Sequence, residues 1–329
     1  MRADDPIPVG VIGVGSMGRH HARVYEELPG AELVGVHDAD AATAREIADT
    51  YAVEVLSRDE LLAAVEAVSV AVPTPYHLET ARACVEAEVA ALIEKPVVGD
   101  LDDAVAMRSL DRSSAAPLQV GHIERFNPAI STLTDIVADL DVLSIRAERL
   151  GPPPERAIAD SAAFDLMTHD LDIVRSLLGQ DPDRVEAVGV DENRHVTALL
   201  EFPCGIVTSL TASRKTQRKV RTLEVTAESC FIEVDYIDQS IDIHRHSVPE
   251  YIEEDGNIRY RHESVVERPH VPNGEPLRFE LEAFLDAVSN GTEPAVTIDD
   301  GLRVIELAEE IEQAALGAVS LSSPPQPTD

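Results

Sequence analysis

The sequence predicts an α/β chain in two parts. A doubly wound parallel sheet comes first, and an α+β part with an open-faced, mainly antiparallel sheet follows. Three observations predict this. Short apolar strands alternate with helical stretches over residues 8–121, and the alternation stops near residue 123. Longer strands of alternating polar and apolar residues then follow one another. The chain has 329 residues, 44% of them hydrophobic, enough for two cores. Strands alternating with helices build a parallel sheet covered on both faces, whereas consecutive alternating strands pair antiparallel. The expected domains are 1–122 and 123–329.

The first strand begins at Pro8 and runs into Gly13, Gly15 and Gly18, with Ser16 and Met17 between the last two. Residues 19–28 have helical composition and stop at Pro29-Gly30. A second strand at 32–37 ends on Asp38, 20 residues beyond Gly18. Strand, G-x-G-x-x-G turn, helix and an acid at the next strand end together mark a dinucleotide site. Gly13 permits the tight turn, Gly15 lets the backbone approach a pyrophosphate, and Gly18 allows helix and strand to pack closely. The helix N-terminus favours the phosphate charge. Asp38 is placed to accept hydrogen bonds from both ribose hydroxyls of NAD and to repel the extra phosphate of NADP. The plainer reading of Asp38 is a solvated turn acid in an acidic chain. NAD is the expected cofactor, in preference to NADP.

The alternation continues with a helix at 41–51, a short strand at 53–56 and a helix at 58–65. Ser57 and Glu60 give that helix a capping box. A strand at 67–72 closes at Pro73-Thr74-Pro75, and a helix spans 76–87. The strand at 89–93 delivers Glu94-Lys95-Pro96. A helix at 101–109 and a strand at 118–121 complete this part. Ligands of such sheets sit at the carboxyl ends of strands, which nominates Asp38, Thr74, Lys95 and His122. Only three residues of the chain are lysines: Lys95, Lys215 and Lys219. A lysine kept at a strand end suits chemistry that needs a compact donor able to lose its proton. The plainer reading is a surface lysine placed by chance.

In the second part, strands are expected at 143–150, 184–190, 196–202, 206–212, 220–227 and 230–236. Helices are expected at 276–289 and 299–316, and residues 322–329 read as a frayed tail. A helix at 162–179 lies between the first two strands, its apolar face formed by Leu166, Ile173, Val174, Leu177 and Leu178. Asp165 and His169 are four apart and share a helix face. A carboxylate beside an imidazole, with an unperturbed pKa of about 6.5, suits proton transfer near neutral pH. The same spacing also fits an ordinary structural pair. Arg214, Lys215, Arg218, Lys219 and Arg221 concentrate five cations. They suit either a pyrophosphate or a salt-bridge cluster between subunits.

The formal net charge of -34 argues against nucleic acid as a partner. Apolar periodicity excludes the disorder that such acidity otherwise suggests. The composition points to a high-salt-adapted source, since at about 1 M ionic strength the Debye length is about 3 Å and self-repulsion is screened. No apolar run reaches the roughly 18 residues of a membrane span, and the N-terminus lacks the apolar stretch of a signal peptide. Cys84, Cys204 and Cys230 fit neither a disulfide framework nor a zinc site. The expectation is a cytoplasmic protein with no metal.

The glycine turn, Pro73-Thr74-Pro75-Tyr76-His77, Glu94-Lys95-Pro96, Asp165-Leu166-Met167-Thr168-His169 and Glu275-Pro276-Leu277 resemble the Gfo/Idh/MocA oxidoreductases, over nearly the whole chain. The resemblance implies an N-terminal Rossmann domain and a C-terminal sheet through which a homodimer or homotetramer forms. It implies NAD contacts from Gly13, Gly15, Ser16, Met17, Gly18, Asp38, Pro73, Thr74, His77, Glu94 and Lys95. It also implies hydride transfer from a secondary hydroxyl of a sugar, cyclitol or related ring. Substrate is then expected between the nicotinamide and the 162–179 helix. His169 serves as general base, Lys95 as hydrogen-bond donor to the same oxygen, and Asp165 orients the pair.

A narrower resemblance, to the branch of UDP-N-acetylglucosamine 3-dehydrogenases, lies in residues 120–128, 149–154, 165–172, 219–226 and 234–239. That branch oxidises the 3-hydroxyl of a nucleotide-linked amino sugar. It makes His122, Arg125 and Asn127 candidate substrate-binding residues beside Arg218 and Arg221. The chain departs from the branch in the extra positive charge of 213–221, and in lacking the glycines often found just before Asp165. Two other readings stand. A free-sugar or cyclitol (myo-inositol-like) dehydrogenase needs no pyrophosphate site. A non-catalytic NAD-binding sensor needs none of Lys95, Asp165 and His169.

Overall fold

The computed structural model describes residues 5–153, 161–203, 205–246, 250–254, 257–261 and 263–320. Strand β1 (Ile7–Ile12) turns through the glycines into helix α1 (Gly18–Glu27). There follow β2 (Ala31–His37), α2 (Ala41–Tyr51), β3 (Glu54–Val55), α3 (Arg58–Ala64), β4 (Ala67–Val70), α4 (His77–Glu86), β5 (Ala90–Glu94), α5 (Leu101–Ser113) and β6 (Leu118–Gly121). All six strands run parallel in the order β3-β2-β1-β4-β5-β6. The order reverses between β1 and β4, the switch point at which such sheets bind ligands. Every residue of β4 and β6 is buried, the signature of a sheet covered on both faces. Caps fix the helix starts. Ser57 and Glu60 form the expected capping box on α3, while Asp40 and Asp100 accept backbone N–H groups at the starts of α2 and α5.

The chain continues with α6 (Pro128–Val137), β7 (Val142–Leu150), α7 (Thr168–Leu178), β8 (Arg184–Val190), β9 (His195–Glu201), β10 (Val207–Ser213), β11 (Val220–Ala227), β12 (Phe231–Asp235) and β13 (Ser240–His246). Then come β14 (Glu250–Glu254), β15 (Asn257–Arg261), β16 (Ser264–Glu267), α8 (Pro276–Asn290) and α9 (Ile298–Ser320). Eight strands form a second sheet, β16-β13-β12-β11-β7-β10-β9-β8. Its neighbours are antiparallel except β7 and β10, which run parallel. The hairpin β14–β15 stands apart as its own two-stranded sheet. Along β8 and β9, buried and less buried residues alternate, as on a sheet with one covered face and one open face.

Several expectations change in detail. The strand at 53–56 shrinks to the two residues of β3, and α5 extends to Ser113. Helix α6 and strands β13 to β16 were not expected from the sequence. The expected tail at 322–329, Pro154 of the 149–154 segment and Cys204 lie outside the described residues.

Two compact units emerge: Met1–Phe126 with Gly274–Glu306, and Asn127–Asn273 with Leu307–Asp329. The contiguous division 1–122 and 123–329 therefore needs correction. Leu277, Leu281, Phe284 and Leu285 of α8 share one core with Val9, Val11, Tyr25 and Leu92. The apolar stripe of α8 is buried with β1, α1 and β5, so this late segment belongs to the first unit.

Candidate active site

In the first unit, the three glycines differ in what surrounds them. Gly13 has φ +85°, and a Cβ there would fall 2.8 Å from the backbone of Ala71 and Val72. A Cβ on Gly18 would lie 1.8 Å from the Gly13 carbonyl oxygen. Around Gly15, by contrast, nothing lies within 4 Å of where a Cβ would be. The turn thus presents bare backbone to open space at Gly15. Met17, at the start of α1, gives no side-chain cap to that helix. Such a cradle with an uncapped helix start fits a pyrophosphate. Ser16 and Met17 belong to this turn. Asp38, at the end of β2, accepts the Val14 N–H through Oδ2 and the Asp40 N–H through Oδ1, both at 2.8 Å. Its carboxylate is thereby held against the glycine turn, as a ribose ligand needs to be.

The ends of β4 and β5 are tied together next. Pro73 precedes a 3₁₀ turn over Thr74–Tyr76, which leads into α4. His77 is buried, with Nδ1 2.9 Å from the Pro96 carbonyl oxygen and Nε2 2.9 Å from that of Val72. Burial pulls its pKa below the ordinary imidazole value, against the opposing pull of those two carbonyls and of Glu94. The Lys95–Pro96 peptide is cis. Glu94 faces His21 Nε2 at 2.8 Å and accepts the Lys95 N–H at 3.2 Å. Burial pushes the Glu94 carboxyl up, but the hydrogen bond from His21 and the neighbouring Lys95 outweigh it and hold the group below its usual range. His122 follows β6 and is buried. Arg125 donates to the Ala295 carbonyl at 3.1 Å and lies 3.4 Å from Asp300.

In the second unit, the helix expected at 162–179 is not uniform. Ala163–Met167 forms a π-turn and α7 begins at Thr168, so Asp165 lies in the π-turn and His169 in the first turn of α7. Such turns widen a helix locally and recur at functional sites. Asp165 accepts a hydrogen bond from Arg214 at 2.5 Å. His169 stands half-buried in the first turn of α7. The next residue, Asp170, receives two hydrogen bonds of 2.9 Å from Arg149. The Arg149 guanidinium lies 5.2 Å from the centre of the Tyr236 ring.

The five-cation segment divides. Arg214 is buried, and Lys215 pairs with Asp191 at 2.5 Å. Arg221 donates to the Leu150 and Val220 carbonyls at 2.6 and 2.8 Å, while Arg218 and Lys219 are exposed. Asn127 caps α6 by accepting the Ala129 N–H at 3.1 Å, and its amide nitrogen donates to the Tyr236 carbonyl at 3.1 Å. That amide joins the start of α6 to the end of β12.

Residues 7–122 match the model of an oxidoreductase family with an NAD-binding Rossmann fold, and residues 141–233 match the GFO/IDH/MocA C-terminal domain. The chain belongs to the Gfo/Idh/MocA oxidoreductase family. A UDP-N-acetylglucosamine 3-dehydrogenase of Acidithiobacillus ferrooxidans is 34% identical over 288 residues, covering 85% of this chain and 88% of that one. A solved structure of that enzyme superposes with a TM-score of 0.86 at 30% identity, covering 95% of this chain and 98% of the other. An inositol 2-dehydrogenase of Rhizobium meliloti is 27% identical over 318 residues, 91% of this chain and 94% of its own.

As a Gfo/Idh/MocA oxidoreductase, the chain is an NAD-dependent dehydrogenase acting on CH–OH groups. The reading as a non-catalytic sensor gives way to this. Among the described residues, no group of three His, Cys, Asp or Glu side chains could hold a metal ion. No described helix is long and apolar enough to cross a membrane. Sequence reasoning missed the buried polar partners His21, Arg149 and Asp170. His21 sits three residues after Gly18 on the buried face of α1, and a motif search stops at the glycine.

Proposed function

We propose that this dehydrogenase oxidises a secondary ring hydroxyl of a sugar, namely the 3-hydroxyl of a nucleotide sugar such as UDP-N-acetylglucosamine. The observation that carries the reading is the likeness to the UDP-N-acetylglucosamine 3-dehydrogenase over most of both chains, at 34% identity. Bound NAD accepts the hydride. His169 takes the hydroxyl proton as general base, and Lys95 donates a hydrogen bond to the same oxygen as negative charge develops on it. Asp165, gripped by Arg214, orients the polar groups around His169. Asp38 selects NAD over NADP. The exposed Arg218 and Lys219 are the cations of their segment best placed to meet a diphosphate.

A second reading, a free-sugar or cyclitol dehydrogenase, draws on two observations. The inositol 2-dehydrogenase matches over 91% of the chain. Arg221 donates to backbone carbonyls, which leaves fewer cations for a pyrophosphate. We place the enzyme in a high-salt cytoplasm, as a homodimer or homotetramer formed through the open face of the second sheet, where Val188, Val190 and Leu199 are exposed.

The deciding experiment follows NADH formation in concentrated potassium chloride with UDP-N-acetylglucosamine, myo-inositol and glucose in parallel. Turnover confined to UDP-N-acetylglucosamine is the expected result. Faster turnover of myo-inositol or glucose overturns the nucleotide-sugar reading.

A further inference from the structure

Behind the Glu94-Lys95-Pro96 turn lies a chain of polar side chains inside an apolar core. His21, Tyr25 and Ser69 all have 0% of their surface exposed. Ser69 sits in β4 between Val68 and Val70, with Val11 and Leu92 as its neighbours across the sheet. A hydroxyl buried at the centre of such a sheet destabilises it unless bonded, and this one is bonded twice. Its Oγ lies 2.9 Å from the Tyr25 hydroxyl and 2.9 Å from His21 Nδ1. The other ring nitrogen of His21 lies 2.8 Å from Glu94 Oε1.

The Glu94 end sets the first bond. An ionised carboxylate only accepts, so His21 Nε2–H donates to Glu94. In the neutral ring Nδ1 carries the lone pair and accepts from the Ser69 hydroxyl, which in turn accepts from Tyr25. Each donor has one acceptor. The second carboxylate oxygen of Glu94 accepts the Lys95 N–H. Space for this carboxylate exists because residue 121 lacks a side chain. A Cβ on Gly121 would lie 3.2 Å from Glu94 Cα and 3.3 Å from Oε2. On the far side of Lys95, His77 faces the Pro96 carbonyl. The lysine therefore leaves a turn gripped at the residue before it and at the residue after it.

We propose that His21 is a positioning residue: held in one tautomer by Ser69 and Tyr25, it locks Glu94 against the Lys95 N–H and so fixes the point from which the Lys95 side chain reaches its substrate. The inference rests on the role proposed for Lys95. Misplacing a reacting group by about 1 Å costs on the order of 100-fold in rate. The relay is worth that much only through Lys95.

The test uses Ser69→Ala and Tyr25→Phe, which remove hydroxyls and little volume, with His21→Gln as the more severe change. Turnover of UDP-N-acetylglucosamine is expected to fall about 10- to 100-fold in Ser69→Ala, with the dissociation constant for NAD unchanged. In a Lys95→Ala background, Ser69→Ala should add no further loss. Wild-type turnover in both Ser69→Ala and Tyr25→Phe overturns the proposal, as do losses that multiply with Lys95→Ala. Lys95→Ala alone tests the underlying role, so loss there with no loss in Ser69→Ala sinks the relay and spares the lysine. The ¹⁵N resonances of the His21 ring report the chain without any substrate. A protonated Nε2 and a bare Nδ1, with the tautomer ratio disturbed by Ser69→Ala, are expected, and a protonated Nδ1 in the wild type overturns the proposal.

Discussion

Arg149 and Asp170 meet through two hydrogen bonds of 2.9 Å, with only 4% of either side chain exposed. The pair joins the end of β7 to the first turn of α7, one residue beyond His169. A buried pair of this kind contributes little against a well-packed apolar substitute, yet breaking it is severe because one charge stays buried alone. Arg149→Met is therefore expected to lower unfolding stability by about 3–5 kcal/mol, measured by denaturant titration. Arg149→Met with Asp170→Leu should recover much of that loss. Equal stability of the single and double variants would refute the pair's role.

Asp38 is held toward the glycine turn by the Val14 and Asp40 N–H groups. Asp38→Ala removes charge-assisted hydrogen bonds worth about 1.5–3 kcal/mol. The Michaelis constant for NAD should rise roughly 10- to 100-fold, and the preference for NAD over NADP should collapse. Unaltered discrimination between the two cofactors would return Asp38 to its plainer reading as a turn acid.

Lys95→Ala and His169→Ala remove the proposed donor and base. Each should lower turnover by about 10²–10⁴-fold while NAD binding, followed by calorimetry, stays near wild type. Near-normal turnover in either variant withdraws the role assigned to that residue.

The parts of this site that were legible in the sequence are those where backbone geometry restricts the residue type. Gly13 and Gly18 admit no Cβ, so the turn is written in the letters themselves, and Asp38 follows from strand spacing. Side-chain partnerships leave no such mark. His21 looks like any histidine on a helix until Glu94 arrives 73 residues later. The π-turn at Ala163–Met167 has no glycine or proline to announce it. Helix α6 hid because its Ser131-Thr132-Leu133-Thr134 core has weak helix propensity, and its start depends on the Asn127 cap and Pro128. The stripe of α8 was visible as amphipathic, but periodicity does not say which sheet a stripe will cover.

The charge of -34 predicts a salt requirement. Self-repulsion opposes the compact state and is screened as the Debye length falls from about 10 Å at 0.1 M to about 3 Å at 1 M. The melting temperature should climb between 0.1 and about 2 M potassium chloride, most steeply at the low end where screening changes fastest. A melting temperature independent of salt would remove high-salt adaptation as the reason for the composition.

His77 predicts a pH dependence of stability with a definite sign. Both its ring nitrogens face carbonyl oxygens at 2.9 Å, and a proton on each would satisfy both. Burial opposes that charge and prevails, so the folded pKa lies below the unfolded one. Unfolded histidine gains its proton near pH 6.5. As pH falls through that value, the unfolded state binds the proton first and stability declines. The decline ends once the folded protein is protonated too. The contribution is thus complete above about pH 7.5 and is lost below about pH 6.5. His77→Gln keeps one donor and abolishes the titration. Urea midpoints at pH 8, 6.5 and 5 should fall less steeply in this variant than in the wild type. Parallel curves would mean that folding leaves the affinity of the His77 imidazole for its proton unchanged.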